Sequence, residues 1–493
     1  MQSFSSICTA LLTLWVSACA FTVVGARETA MAATPPVVKT DSGSVEGLPA
    51  EGIPDVSLYQ GIPFAAPPAG ALRWREPQPP AHWAGVRKPF TDAPSCVQPA
   101  PVIRLPWTAE YLQPGAMSED CLYLNVWVPA RTDGAPRAVL VWIYGGGFVT
   151  GSIRVPLQDG AALARKGVIV VAANYRVGAL GFLAHPDLTA ESAHHASGNY
   201  GLLDQVAALR WVKNNIAAFD GDPRRVTVFG QSAGAISVYL LTASPLAKGL
   251  FGRAIVQSGP GALANLGLSS IKAMARLAPS REEAQKTGEK FAATFGAKSI
   301  AELRAVDAQR LLLPPAAQGS PSPQFFPDVD GWFLPEDPET IYTKHQQNDV
   351  PMIIGTMADE ASVSPGYNAT RAIELREMSI AGIDQVLTER ASAGGGVAYA
   401  YYFERAIPWP EHPEFGAFHA GDLPYVFDNL RLMNRPWTQV DRNLASVVSS
   451  YWINFATTGD PNGKEMPRWN PYRPGSRTFM VLGQNTAERS LLH

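Results

Sequence analysis

Arg225–Gly234 reads RVTVFGQSAG. Val226, Val228 and Phe229 form a short apolar run of the kind that makes a buried strand. Gly230-Gln231-Ser232-Ala233-Gly234 follows as a sharp turn, and AISVYLL (235–241) continues as a helix. Strand, G-x-S-x-G turn and helix in that order make a nucleophile elbow. A turn this tight crowds any Cβ, which glycine lacks. It would lift Ser232 Oγ clear of the sheet and set it at a helix N-terminus, where backbone N–H groups are free. The five-residue pattern alone is weak; the flanking strand and helix carry it.

Further apolar runs lie on either side: CLYLNVWVP (121–129), AVLVWIY (138–144), GVIVVAANY (167–175), RAIVQS (253–258) and PMIIGT (351–356). DQVAALRWVKNNIAAF (204–219) has helical periodicity, with Val206, Leu209, Trp211, Val212 and Ile216 on or near one face. Continuous apolar strands alternating with helices predict an α/β fold with a mainly parallel sheet covered on both faces. Nearer the N-terminus, SGSVEG (42–47) and VSLYQGIPFA (56–65) read as two short antiparallel strands. Residues 265–345 hold few strand signals and read as an insertion, not a separate domain.

The chain has 493 residues, and a hydrophobic content of 46% is enough to fill a large core. A net charge of −3 gives no reason to expect nucleic acid as a partner. Ile7 to Val24 is apolar and is followed by small-residue sites at Val24-Gly25-Ala26 and Ala30-Met31-Ala32. This reads as an export leader over 1–26, extending at most to 32, ahead of one domain over 35–493. Val16-Ser17-Ala18-Cys19 also resembles a lipobox, which would make Cys19 a lipid anchor instead. The expected location is thus secreted or periplasmic, or lipid-anchored. No other segment is apolar for long enough to span a bilayer. Beyond the leader only Cys96 and Cys121 remain, and in an exported chain they read as one disulfide.

A serine nucleophile needs a base and a group that orients the base. In an elbow of this type the acid comes next in the chain and the histidine last. Asp359 and Glu360 follow the strand PMIIGT, and His412, His419 and His493 come later. His345 precedes the acids and drops out. His412 sits among prolines and His493 is terminal, whereas His419 lies in the small-residue loop GAFHAGD (416–422). Order alone leaves the choice open. Gly145-Gly146-Gly147, directly after the strand AVLVWIY, can turn N–H groups towards a developing oxyanion, and Ala233 supplies another. No Lys, Ser or Thr stands where a phosphate-binding loop would need one.

Taken together these stretches resemble the type-B carboxylesterases, the cholinesterase-like branch of the α/β-hydrolases. The matching segments are SEDCLYLNVWVP (118–129), VWIYGGGF (141–148), NYRVGALGFL (174–183), GNYGLLDQVAALRWVKNNIAAFDGDP (198–223), VTVFGQSAGA (226–235), GTMADEAS (355–362), HAGDLPYVF (419–427) and WINFATTGDPN (452–462). The resemblance implies an α/β-hydrolase fold, with a large mostly parallel sheet, helices on both faces and long insertions. It implies a serine hydrolase that cleaves carboxylic esters through an acyl-enzyme. Ser232 would be nucleophile, Glu360 the acid and His419 the base. Gly146, Gly147 and Ala233 would form the oxyanion hole. It implies a Cys96–Cys121 bridge, structural ion pairs Arg73–Glu119 and Arg176–Asp204, no cofactor or metal, and a small ester as partner. Lipase, amidase and thioesterase activity, and a non-catalytic adhesion role, occur on related chains; the last typically goes with loss of a triad member, and all three are present.

The chain departs from the family where Gln231 replaces a usual Glu, Asp220 a usual Gly, and Ala361 a usual Gly. Gln231 removes a carboxylate that would attract a cationic substrate, so a dedicated cholinesterase is not expected. Trp107 lies between the cysteines and is expected to pack that loop onto the core. The run Gly145-Gly146-Gly147-Phe148 resembles the GGGX form of oxyanion loop, which implies room for bulky alcohol portions.

Overall fold

The computed structural model describes residues 36–113, 115–129, 134–262, 278–312, 325–364 and 367–491. The leader, its cleavage sites, Cys19 and His493 lie outside the described residues.

The apolar runs build an eleven-stranded sheet. In chain order its strands are β1 (Leu48–Ala50), β2 (Ile53–Pro63), β3 (Tyr123–Pro129), β4 (Arg137–Ile143), β5 (Ile169–Ala173) and β6 (Gly221–Gln231). They continue with β7 (Arg253–Gln257), β8 (Met352–Met357), β9 (Ala398–Phe403), β10 (Thr478–Leu482) and β11 (Ala487–Ser490). The order across the sheet is β11-β10-β9-β8-β7-β6-β4-β5-β3-β2-β1. From β10 to β5 all neighbours pair parallel, and both edges are antiparallel. Val226, Val228 and Phe229 of β6 are fully buried, as are Val139 and Leu140 beside them. The mainly parallel, doubly covered sheet expected from the sequence is therefore the one observed.

The topology selects a place for a site. β4 lies between β5 and β6, so the chain winds away from it in both directions. Crevices open at such a switch point, outside the carboxyl ends of the strands. The loops after β4 and β6 carry the glycine run and Ser232; those after β7 and β8 carry Ser258 and Glu360.

Helices that frame these loops include α1 (Tyr200–Asn215), α2 (Ala233–Ala243), α3 (Ala369–Ser392) and α4 (Gln439–Thr458). Every residue of α2 is buried, because it lies against β6 and β7. In α1 Val206, Leu209, Trp211 and Val212 are buried, as is Ile216 just past its end, and Arg210, Lys213 and Asn214 face solvent.

One pairing differs from expectation. Ser44–Glu46 does not pair with 56–65; it joins Val37–Lys39 and Val86–Arg87 in a separate small sheet. β2 pairs instead with β3 on one side and with β1, directly before it, on the other. A turn through Glu51 and Gly52, at φ 70°, places the two strands side by side.

Cys96 and Cys121 are bonded. Closing a loop of sequence separation 25 contributes about 3–4 kcal/mol on the chain-entropy account. Arg73 pairs bidentately with Glu119 at 2.6 Å, and its Nη1 also donates to the carbonyls of Arg304 and Val306, which ties part of the 265–345 region to the body. Arg176 pairs with fully buried Asp204 at 2.7 Å. Asp220, where the family usually has glycine, adopts a left-handed φ of 63°, a conformation aspartate tolerates better than most residues. Among the described residues no helix is long and apolar enough to cross a membrane.

Candidate active site

β6 ends at Gln231, and Ser232 takes φ 57° and ψ −124° before α2 begins. Such backbone is strained by roughly 1–3 kcal/mol and persists only where its surroundings fix it. Here the Ser232 N–H donates to the Gln257 carbonyl (2.9 Å), which fastens the turn to β7. Gly234 passes so close to β4 that a Cβ would collide with the Ile143 carbonyl oxygen. The strain thus serves exposure: Ser232 opens on a cleft of about 550 Å³.

The glycine run after β4 lines the same cleft. Gly146 sits at φ 110° with its carbonyl accepting from the Val149 and Thr150 N–H groups, both at 3.0 Å. A Cβ there would meet the Thr150 carbonyl, so only glycine fits. Among the described residues no acceptor takes the N–H of Gly146, Gly147 or Ala233. Three free donors beside a serine are the layout an oxyanion requires.

β8 leads into Asp359 and Glu360, and the structure separates their roles. Glu360 is buried, and its Oε1 contacts His419 Nδ1. Its Oε2 accepts from Ser258 Oγ (3.0 Å), Thr356 Oγ1 (3.2 Å) and the Met357 N–H (2.9 Å). Asp359 turns away: it accepts from Tyr367 Oη (2.8 Å) and the Ala417 N–H (2.9 Å) and pairs with Arg376. His345 bonds the Ala393 carbonyl and His412 bonds Glu414, so among the described later histidines His419 is the one on Glu360. His419 Nε2 lies 3.1 Å from Gln231 Nε2, and its hydrogen-bond partner among the described residues is this amide, not Ser232 Oγ.

Burial opposes charge on His419, but the Glu360 charge and hydrogen bond, with Asp422 behind them, raise its pKa above the usual value. Asp422 is itself buried and accepts from Gln257 Nε2 (3.0 Å) and Tyr401 Oη (3.2 Å), while its Oδ1 has no partner among the described residues. Burial first, and then the Glu360 charge, pushes the Asp422 carboxyl up to about 6. Only neutral imidazole acts as a base, so kcat/KM should rise with pH through a midpoint above the ordinary histidine value of about 6.5. Asp422→Asn removes a charge that favours imidazolium, so that midpoint should move to lower pH. Rates measured between about pH 5 and 9 check this; a flat profile would count against His419 as base.

The carboxylesterase family pattern matches residues 34–377 and 375–492 of the chain. The chain belongs to the carboxylesterase family. It is 43% identical to the fumonisin B1 esterase of Sphingopyxis macrogoltabida over 87% of this chain and 83% of that protein. It is 35% identical to the para-nitrobenzyl esterase of Bacillus subtilis (strain 168), over 90% and 94% of the two chains. Human cocaine esterase is 32% identical over 84% and 81%. A solved structure of PNB esterase superposes with a TM-score of 0.77 at 32% identity, covering 92% of this chain and 97% of that one.

Three features of this carboxylesterase were not read from its sequence. Ser258 adds a hydroxyl to Glu360; its position at the carboxyl end of β7, next to β6, was the available signal. Asp422 follows His419 by one turn of chain. Gln231, read only as a missing charge, contacts the imidazole. Trp107 packs its loop against the core as expected but also lines the cleft, with its indole N–H donating to the His419 carbonyl (3.2 Å).

Proposed function

We propose that this carboxylesterase cleaves esters by a Ser232–His419–Glu360 triad through an acyl-enzyme. The observation that carries the reading is the Glu360–His419 contact at the mouth of the elbow, in the cleft that Ser232 and the glycine run share. Glu360 Oε1 accepts a hydrogen bond from the Nδ1–H, which keeps the proton on Nδ1 and leaves Nε2 as acceptor. His419 takes the Ser232 proton as Oγ attacks the ester carbonyl. The Gly146, Gly147 and Ala233 N–H groups meet the oxyanion, one such donor being worth about 3–4 kcal/mol. His419 then returns the proton to the leaving alcohol, and water repeats the sequence on the acyl-enzyme. For Ser232 to reach Nε2, the Gln231 amide must give way; catalytic hydrogen bonds are often formed only with substrate bound.

The relatives are named for three different esters, which supports ester hydrolysis and leaves the preferred ester open. The test is a series of p-nitrophenyl esters from acetate to palmitate, combined with a serine-directed organophosphate and peptide mapping. Turnover of the short esters and a single label on Ser232 are expected. A label elsewhere, or no label in an enzyme that turns over, would reject the triad.

A further inference from the structure

Among the described residues that line it, the cleft carries one permanent charge. Its base is Ser232, His419 and the glycine run, and the remaining walls are apolar or neutral polar except for Arg104. Among the described residues no carboxylate lines it. The Arg104 guanidinium has no hydrogen-bond or ion-pair partner among the described residues. Two other arginines of this half of the chain are committed, Arg73 to Glu119 and Arg176 to Asp204.

Arg104 is also held in register with the chemistry. Its carbonyl accepts from the Trp107 N–H (3.0 Å), and the Trp107 indole N–H donates to the carbonyl of His419 itself (3.2 Å). The Cys96–Cys121 bond anchors the same loop. A cation whose main chain is tied through Trp107 to that of the base, facing a cleft that no carboxylate lines among the described residues, is a recognition group waiting for an anion.

We infer that Arg104 selects esters that carry a free carboxylate, such as half-esters of dicarboxylic or polycarboxylic acids. This rests on the reading of Ser232 as nucleophile. A guanidinium presents paired N–H donors that match a carboxylate edge to edge, which a point charge does not. Low-dielectric walls focus its field towards the entering substrate. The ester carbonyl sits at Ser232 and the carboxylate points outward to Arg104. Arg104 touches no reacting atom, so it is a specificity residue and its effect falls mainly on KM.

The experiment reads a ratio within each enzyme. Monoethyl glutarate is compared with ethyl glutaramate, its neutral isostere, for a carboxylate on the acyl side. 4-Acetoxybutanoate is compared with 4-acetoxybutanamide for one on the alcohol side. Wild-type enzyme at low salt should favour the anion by about 10-fold or more in kcat/KM in one of the two pairs, less so as ionic strength rises. Arg104→Gln should bring that ratio near 1, and Arg104→Glu should bring it below 1. Ratios near 1 in both pairs for wild-type enzyme, or a preference that survives Arg104→Gln, would overturn the inference. p-Nitrophenyl butyrate separates the two levels: its turnover with ratios near 1 sinks Arg104 alone, whereas no turnover of any ester sinks the Ser232 reading beneath it.

Discussion

Ser232→Ala is expected to lower kcat by about four orders of magnitude or more while the protein stays folded. The first half follows from chemistry, because alanine offers no atom to bond the acyl group. The second half follows from the turn. The elbow's strained φ of 57° is set by the Gln257 carbonyl and by the close approach of Gly234 to β4, and neither involves the serine hydroxyl. Serine and alanine both carry a Cβ, so the strain is the same in each. Ser232 Oγ makes no hydrogen bond among the described residues, so none is lost. His419→Ala should cost a similar factor, and the double variant little more than either single one, because groups that act as a unit are not additive. The measurements are kcat on p-nitrophenyl butyrate and the thermal midpoint of each variant. Ser232→Ala retaining a tenth of wild-type turnover would remove the serine from the mechanism.

The sequence carried the elbow because its signals are local. An apolar run, a glycine on each side of the serine and an apolar helix all fall between Val226 and Leu241, and each is decided by its nearest neighbours. The strands of the central sheet were legible for the same reason: buried parallel strands are apolar throughout. The β1–β2 hairpin was not, since its turn at Gly52 divides what reads as one irregular stretch. The histidine posed a different problem. His412 and His419 both follow the acids, and only the fold shows that one bonds Glu414 and the other Glu360. Ser258, Asp422 and Arg104 belong to the same class. Their residue types are common, and what distinguishes them is set by the fold: Ser258 and Asp422 meet Glu360 and Gln257 from far along the chain, and Arg104 is brought to the cleft wall.

Glu360→Gln should lower kcat by about 10⁴-fold, whereas Asp359→Asn should stay within about 10-fold of wild type, although the two acids are adjacent. The difference lies in which donors each carboxylate serves. Glu360 Oε2 faces the Met357 N–H, a backbone donor that cannot reverse, and the hydroxyls of Ser258 and Thr356 beside it. A glutamine must therefore place its oxygen there, and its NH₂ towards His419 Nδ1. Facing a donor, Nδ1 gives up its proton and Nε2 holds it instead. The imidazole is then neutral yet presents N–H to Ser232 and cannot take its proton. The loss comes from the wrong tautomer, with charge and packing as lesser effects. Asp359 touches no part of that relay. It accepts from Tyr367 and the Ala417 N–H and pairs with Arg376 of α3, so it braces the loop leading to His419. Asparagine keeps one acceptor oxygen and loses the ion pair, which should lower the thermal midpoint more visibly than kcat. Kinetics and melting curves of the two variants read these outcomes directly. A larger loss of kcat in Asp359→Asn than in Glu360→Gln would transfer the acid to Asp359 and undo the assignment.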